Sequence, residues 1–217
     1  MPKKQARGED TKKRILMATL EVIKNQGMRA VRHRAVAAEA GVPLGSTTYH
    51  FKSIEDLIVS TFVYWLEQID VGKNPKFVAI AESVTKLTQE QLREESTREA
   101  IAEQLYKDGY AYLKDQIIDN FDDRRIELAF HNEALRNSKL SGLLLESWQH
   151  DVNRLVHLYT LLGTSAPEQD AEITFAIIMQ SEKRAMLLAN KEERLKEYDN
   201  ISLTLKRHIY MVLGLSG

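Results

Sequence analysis

The sequence predicts an all-α protein, with a small three-helix N-terminal head and a larger helical body. Apolar residues recur at three- and four-residue spacings along most of the chain. Nowhere do they alternate over the short, turn-bounded runs that strands require. Four prolines and ten glycines in 217 residues are few for a loop-rich or all-β chain. Charge then separates head from body. Residues 1–52 hold 11 Lys+Arg and 4 Asp+Glu, and the remainder hold 19 and 27. The formal net charge of −1 therefore conceals a head at +7 and a body at −8. Such asymmetry suggests a polyanion-binding end. A surface of solvated lysines would give the same count, so a motif has to carry the inference.

The elements follow in order. Residues 1–8, rich in Lys, Arg and Gln, are expected to be disordered. A first helix is expected to start near Asp10 or Thr11, either of which can cap it. Ile15, Leu16, Ala18, Thr19, Leu20, Val22 and Ile23 give it a broad apolar stripe, and Gly27 ends it. His33 to Ala40 reads as a short helix stopped by Gly41. Pro43 can open the next helix at no cost in hydrogen bonds, and that helix runs to His50 or Phe51. Ser53, followed by Glu55 and Asp56, is a hydroxyl cap with acids in the first turn, so a fourth helix should run from Ile54 to about Asp70. Beyond Pro75, helices are expected over 75–92, 96–120, 122–137, 140–162, 167–189 and 191–215. The domain boundary is placed after Lys52: residues 1–52 form the head, and 53–217 the body.

Residues 33–52 carry the most specific pattern. Two short helices crossing at a tight turn need a small residue at the crossing, supplied by Ala37. They need a turn residue that accepts positive φ, supplied by Gly41. They also need an apolar plug after it, supplied by Val42, with Val36 and Ala40 completing the inner face. This is a helix-turn-helix, whose second helix enters the major groove with its N-terminal residues leading. An ordinary helical hairpin could use the same residues. The three arginines Arg29, Arg32 and Arg34 beside the first helix, and Lys52 past the second, favour the DNA-binding reading.

Thr11, Gly27, Arg34, Val36-Ala37, Ala40-Gly41-Val42, Gly45, Tyr49-His50-Phe51-Lys52-Ser53 and Glu55-Asp56-Leu57 together resemble the N-terminal domain of TetR-family regulators in both order and spacing. The resemblance covers about the first quarter of the chain. It implies an all-helical homodimer, a double-stranded DNA operator of palindromic form, and a C-terminal domain whose small-molecule effector controls DNA binding, most members being repressors. Two departures stand out. Arg32 stands where the family often has a capping Ser or Thr, and Thr47-Thr48 stand where it usually has Leu-Tyr.

Within this frame, Leu44, Gly45, Ser46 and Thr48 lead the reading helix as base contacts. The hydroxyls can bond base edges, Leu44 can meet a thymine methyl, and Gly45 permits close approach. Arg32, Arg34, Tyr49, His50 and Lys52 are phosphate candidates, Tyr49 chiefly through the resemblance. Lys3, Lys4 and Arg7 form a candidate flexible arm for the minor groove. In the body, Phe62, Trp65, Tyr106, Tyr110, Phe130, His131, Trp148, Tyr159 and Met179 are candidate effector-pocket residues, aromatic with a few polar groups, although each also suits a core. Ile178, Met186, Leu205, Ile209 and Val212, on the last two long helices, are candidate dimer-interface residues.

The absence of cysteine excludes disulfides, thiolate metal sites and a cysteine nucleophile, and suits a reducing cytoplasm. No signal peptide or membrane span is apparent. His150 and His157 would share a helix face, with Glu146 one turn before His150, but no metal site is expected there. No Ser-His-Asp order, phosphate-binding glycine loop or HExxH occurs, so neither an enzyme nor a cofactor is expected. The competing reading is a helical small-molecule-binding protein or enzyme whose basic head is incidental.

Overall fold

Helix α1 (Pro2–Gln26) buries Ile15, Leu16, Ala18, Thr19, Val22 and Ile23, which share one face at helical spacing. The computed structural model describes residues 2–68 and 75–216, with side chains among them from Arg7 onward except 75–78 and 80. α1 starts at Pro2, so the segment expected to be disordered is helical. The Thr11 hydroxyl donates to the Arg7 carbonyl at 2.8 Å, the bond of a residue inside a helix rather than of a cap. Lys, Gln, Ala and Arg favour helix, and an initial proline sacrifices no intrahelical bond.

Gly27 then takes φ 81°, and a single 3-10 turn (Met28–Ala30) leads to α2 (His33–Ala40), α3 (Leu44–His50) and α4 (Ile54–Gln68). The Ser53 hydroxyl accepts the Asp56 N–H at 3.0 Å, giving α4 its expected cap. α4 buries Leu57, Ile58, Val59, Thr61, Phe62 and Trp65 and packs on α1.

The following helices are α5 (Pro75–Thr85), α6 (Gln89–Arg93), α7 (Glu95–Lys114), α8 (Phe121–Ala134), α9 (Ser138–Leu162), α10 (Pro167–Met186) and α11 (Lys191–Val212). Among the described residues there is no strand. The helix expected over 75–92 is divided, because Thr88 and Gln91 form a reciprocal capping box that starts α6. α7 ends in a π turn (Asp115–Asp119), closed by the Asn120 N–H on the Asp115 carbonyl at 2.7 Å. Asn137 caps α9 through Leu140 N–H, and Asn190 caps α11 through Glu193 N–H.

Two compact units result: Met1–Asp70 with Arg125–Leu145, and Val71–Arg124 with Glu146–Gly217. By packing, therefore, α4 belongs with the N-terminal helices rather than with the body that the sequence reading begins at residue 53. In the first unit, Phe62, Trp65 and Phe130 bring their rings together at centroid distances of 5.1–6.1 Å. The second unit has its own core, which includes Val84, Ile101, Leu113, Ile117, Tyr159, Tyr198 and Leu205. No described helix is long and apolar enough to cross a membrane.

Candidate nucleic-acid interface

The turn between α2 and α3 is built from its backbone outward. Gly41 adopts φ 61°, ψ 39°, the left-handed conformation that favours glycine. Its N–H donates to the Ala38 carbonyl at 3.2 Å, and the Val42 N–H donates to the Ala37 carbonyl at 3.0 Å. These are the paired bonds of a Schellman ending. The Ala40 carbonyl accepts instead from Arg14 Nη2 on α1, at 2.8 Å. Val36 and Ala37 are buried and Val42 half-buried, as a plug between crossing helices requires. Pro43 precedes α3, and its carbonyl accepts the Ser46 N–H at 2.8 Å.

α3 has an inward and an outward face. Thr47 is fully buried, and its hydroxyl is satisfied by the Leu44 carbonyl at 2.8 Å. A threonine thus occupies a core position without leaving an orphan polar group. Phe51 is also buried and anchors the end of the motif. Leu44, Gly45, Thr48 and Tyr49 face outward, with Leu44 half exposed and Tyr49 75% exposed. A Cβ placed on Gly45 would meet nothing within 4 Å, so its backbone is open to close approach. Ser46 and His50 are half-buried. Lys52 is exposed, with its ammonium 5.9 Å from the Tyr49 ring. Arg29, Arg32 and Arg34 are exposed at the start of the motif. Arg32 occupies the N-cap position of α2 without a side-chain cap bond, in keeping with the missing Ser or Thr.

The proposed arm has a different character from the one expected. Arg7 is an exposed residue of α1 rather than of a flexible tail. Lys3 and Lys4 lie in the same helix, but their side chains fall outside the described residues. Arg14 escapes sequence reading because its partners, Ala40 and Gly41, lie 26 and 27 residues away.

The candidate pocket residues divide into separate groups. Phe62, Trp65 and Phe130 make one aromatic cluster; beside it His131 Nε2 lies 3.6 Å from Glu127 Oε1. In the second unit, the Tyr106, Tyr110 and Tyr198 rings meet in a row at tilted angles, and Tyr198 donates to the Tyr110 carbonyl at 2.5 Å. Trp148 packs on Phe175. The Tyr159 hydroxyl meets Thr174 Oγ1 at 2.7 Å, and the same oxygen lies 2.8 Å from His208 Nε2. Burial pushes Tyr159 up to about 12, which keeps its proton in place near neutrality. Met179 is half-buried on α10. A cavity of about 370 Å³ in the second unit has none of these residues in its lining. Its walls include Ser83, Leu87, Thr97, Ile101 and Gln104, whose mixed small and polar character gave no sequence signal.

The dimer candidates divide as well. Leu205 and Ile209 are buried in the chain's own core, whereas Ile178, Met186 and Val212 are half-buried. Leu205 packs so closely on α7 that a Cβ on Gly109 would stand 2.8 Å from it. Exposed large apolar residues on α10 and α11 include Ile173, Leu195, Leu203 and Met211, and the exposed Leu187 follows the end of α10.

The profile of bacterial regulatory proteins of the tetR family matches residues 15–61, which span the C-terminal half of α1, the helix-turn-helix and the first half of α4. Residues 15–61 are therefore similar to the N-terminal domain of tetR-family regulators. The HTH-type transcriptional repressor KstR of Rhodococcus jostii is 43% identical over 68 residues, 31% of this chain and 32% of that protein. The matched segment thus spans about a third of that relative's length. Solved structures extend the likeness across the body. A TetR transcription regulator from Haloarcula marismortui superposes with a TM-score of 0.65 at 18% identity, covering 94% of this chain and 98% of that one. A transcriptional regulator from Rhodococcus sp. Rha1 gives 0.63 at 17%, covering 94% and 96%. The multidrug binding protein EbrR, complexed with malachite green, gives 0.59 at 21%, covering 91% and 96%. At such identities the likeness shows the fold of the chain.

Proposed function

We propose that this protein is a ligand-responsive repressor of the TetR family that works in the cytoplasm, binds a palindromic operator as a homodimer, and performs no catalysis. The observation that carries the proposal is the exposed stripe of α3, where Gly45, Thr48 and Tyr49 recur at helical spacing and the exposed Lys52 follows just past the helix, on a head of charge +7. Residues 1–52 supply the DNA-reading surface, and 53–217 the effector and dimer functions. Leu44, Gly45, Ser46 and Thr48 read bases; Arg32, Arg34, Tyr49, His50 and Lys52 hold phosphates. Arg7, with Lys3 and Lys4, extends that basic surface along α1.

A two-fold operator calls for a two-fold protein, and the exposed Ile173, Leu203 and Met211 on α10 and α11, with Leu187 just past α10, support an apolar contact between copies. The half-buried Ile178, Met186 and Val212 flank it. An effector response is supported by the structural likeness to EbrR, a multidrug binding protein, and by the aromatic groups and cavity of the second unit. An effector acts here by binding unequally to DNA-competent and DNA-incompetent states.

The test is fluorescence anisotropy with DNA from upstream of the protein's own gene, against a scrambled duplex, at several salt concentrations. Selective binding of two protomers per site, weakening steeply with salt, is the expected result. Weak and equal binding to both duplexes, repeated across a genome-wide selection of fragments, overturns the proposal.

A further inference from the structure

We propose that Arg14, on α1, is a positioning residue for the reading helix: its guanidinium pins the turn that aims α3. The inference rests on the DNA-reading role of α3 and adds a residue that makes that role specific. The direction of α3 is decided within residues 41–43, where Gly41 holds a left-handed conformation open to few other residues. The backbone bonds of the α2 ending satisfy the carbonyls of Ala37 and Ala38. The Ala40 carbonyl, two residues further toward the turn, is held by Arg14 Nη2 at 2.8 Å, and the same nitrogen lies 3.4 Å from the Gly41 carbonyl.

The bond is charge-assisted, and its cation stands at the C-terminal, negative end of α2, where the helix dipole favours it. The base of Arg14 is fixed by its neighbour Ile15, which is fully buried. The guanidinium lies against the Gly41 backbone, where a Cβ would stand at ordinary contact distance, 3.6 Å, from Nη2, so the left-handed φ rather than space calls for glycine there. Arg14 thus ties the turn to α1, which itself packs against α2, α3 and α4. An exposed arginine in a basic head would ordinarily be read as a phosphate contact. Here the terminal nitrogen is engaged by two backbone carbonyls of the turn, so its effect on DNA passes through the aim of α3.

The two roles predict different behaviour for Arg14→Met and Arg14→Lys in the full-length protein. Lysine keeps the charge but is shorter and more strongly hydrated, so it serves a phosphate far better than it serves these carbonyls. If Arg14 positions α3, both variants lower the ratio of operator to scrambled-duplex affinity by about tenfold, the worth of one such bond. The slope of log affinity against log salt stays as in the wild type. Hydrogen exchange of the backbone over residues 38–45 quickens in both.

Three results overturn the proposal. One is Arg14→Lys behaving as wild type while Arg14→Met loses about 0.9 of the salt slope with its selectivity intact, the signature of a phosphate contact. Another is unchanged exchange over 38–45. The third is faster exchange with undiminished selectivity. If Arg14→Met does not fold, Arg14→Lys carries the test alone. Should the wild-type protein itself fail to select its operator, the regulator reading falls, and the exchange comparison still decides whether Arg14 holds the turn.

Discussion

At the scale of single residues, the proposed reading helix and the two residues after it separate by exposure into core and outward-facing positions. Thr47 and Phe51 belong to the core, whereas Thr48, Tyr49 and Lys52 face solvent. Lys52→Ala is expected to weaken binding to operator and scrambled DNA alike and to reduce the salt slope by about 0.9. Ser46→Ala is expected to change preference among operator variants instead. Anisotropy against both duplexes distinguishes the two effects. A second residue-scale effect belongs to His208. Burial lowers its affinity for a proton below the ordinary imidazole value, outweighing the opposing pull of the Asp170 carbonyl and charge. The Thr174 hydroxyl donates to the Asp170 carbonyl at 2.8 Å and so accepts from Tyr159 and from Nε2–H of His208. Because the folded protein binds this proton less readily than the unfolded chain, stability is complete above the ordinary histidine range and declines as pH falls through it. Melting temperatures between pH 8 and 5 are expected to fall more steeply for the wild type than for His208→Gln; parallel curves would contradict this assignment.

At the scale of elements, caps determine the boundaries. Ser53 before two acids is a local signal, and α4 starts one residue after it. Ser53→Ala is expected to cost about 1 kcal/mol, read as a lower melting temperature with the helical content of the folded protein unchanged. The break between α5 and α6 was less legible, because apolar periodicity continues across it through Val84, Leu87 and Leu92. The Thr88–Gln91 capping box overrides that periodicity. The opposite occurs in α1. Thr11 resembles a cap in sequence, but strong helix formers precede it, so the helix runs on to Pro2 and Thr11 turns its hydroxyl back to Arg7.

At the scale of the whole molecule, α10 and α11 have to serve both an internal core and a proposed partner. Their apolar residues are too numerous for periodicity to say which side chains do which. Leu205 is 3% exposed within one chain, and Leu203, two residues away, is 62% exposed. Leu205→Ala is therefore expected to destabilise the protein by about 2–5 kcal/mol, independently of protein concentration, in a denaturant titration. Leu203→Glu is expected to leave the chain's own core intact but to weaken self-association at least about tenfold, as sedimentation would show. If Leu203→Glu leaves the dimer unchanged, the contact proposed for this face is wrong.

By itself the sequence determined the helical class, the charge division, the helix-turn-helix over residues 33–52 and the cap at Ser53. Each depends on residues close together along the chain, where spacing and backbone preference act directly. Tertiary structure decided what depends on partners distant in sequence. It placed Arg14 on the carbonyls of Ala40 and Gly41, joined Tyr159, Thr174 and His208 through one hydroxyl, and turned Leu205 inward. It also divided the aromatic residues of the body into separate clusters. An aromatic side chain contributes the same apolar area to a core as to a pocket, and only the packing of neighbouring helices decides which it fills.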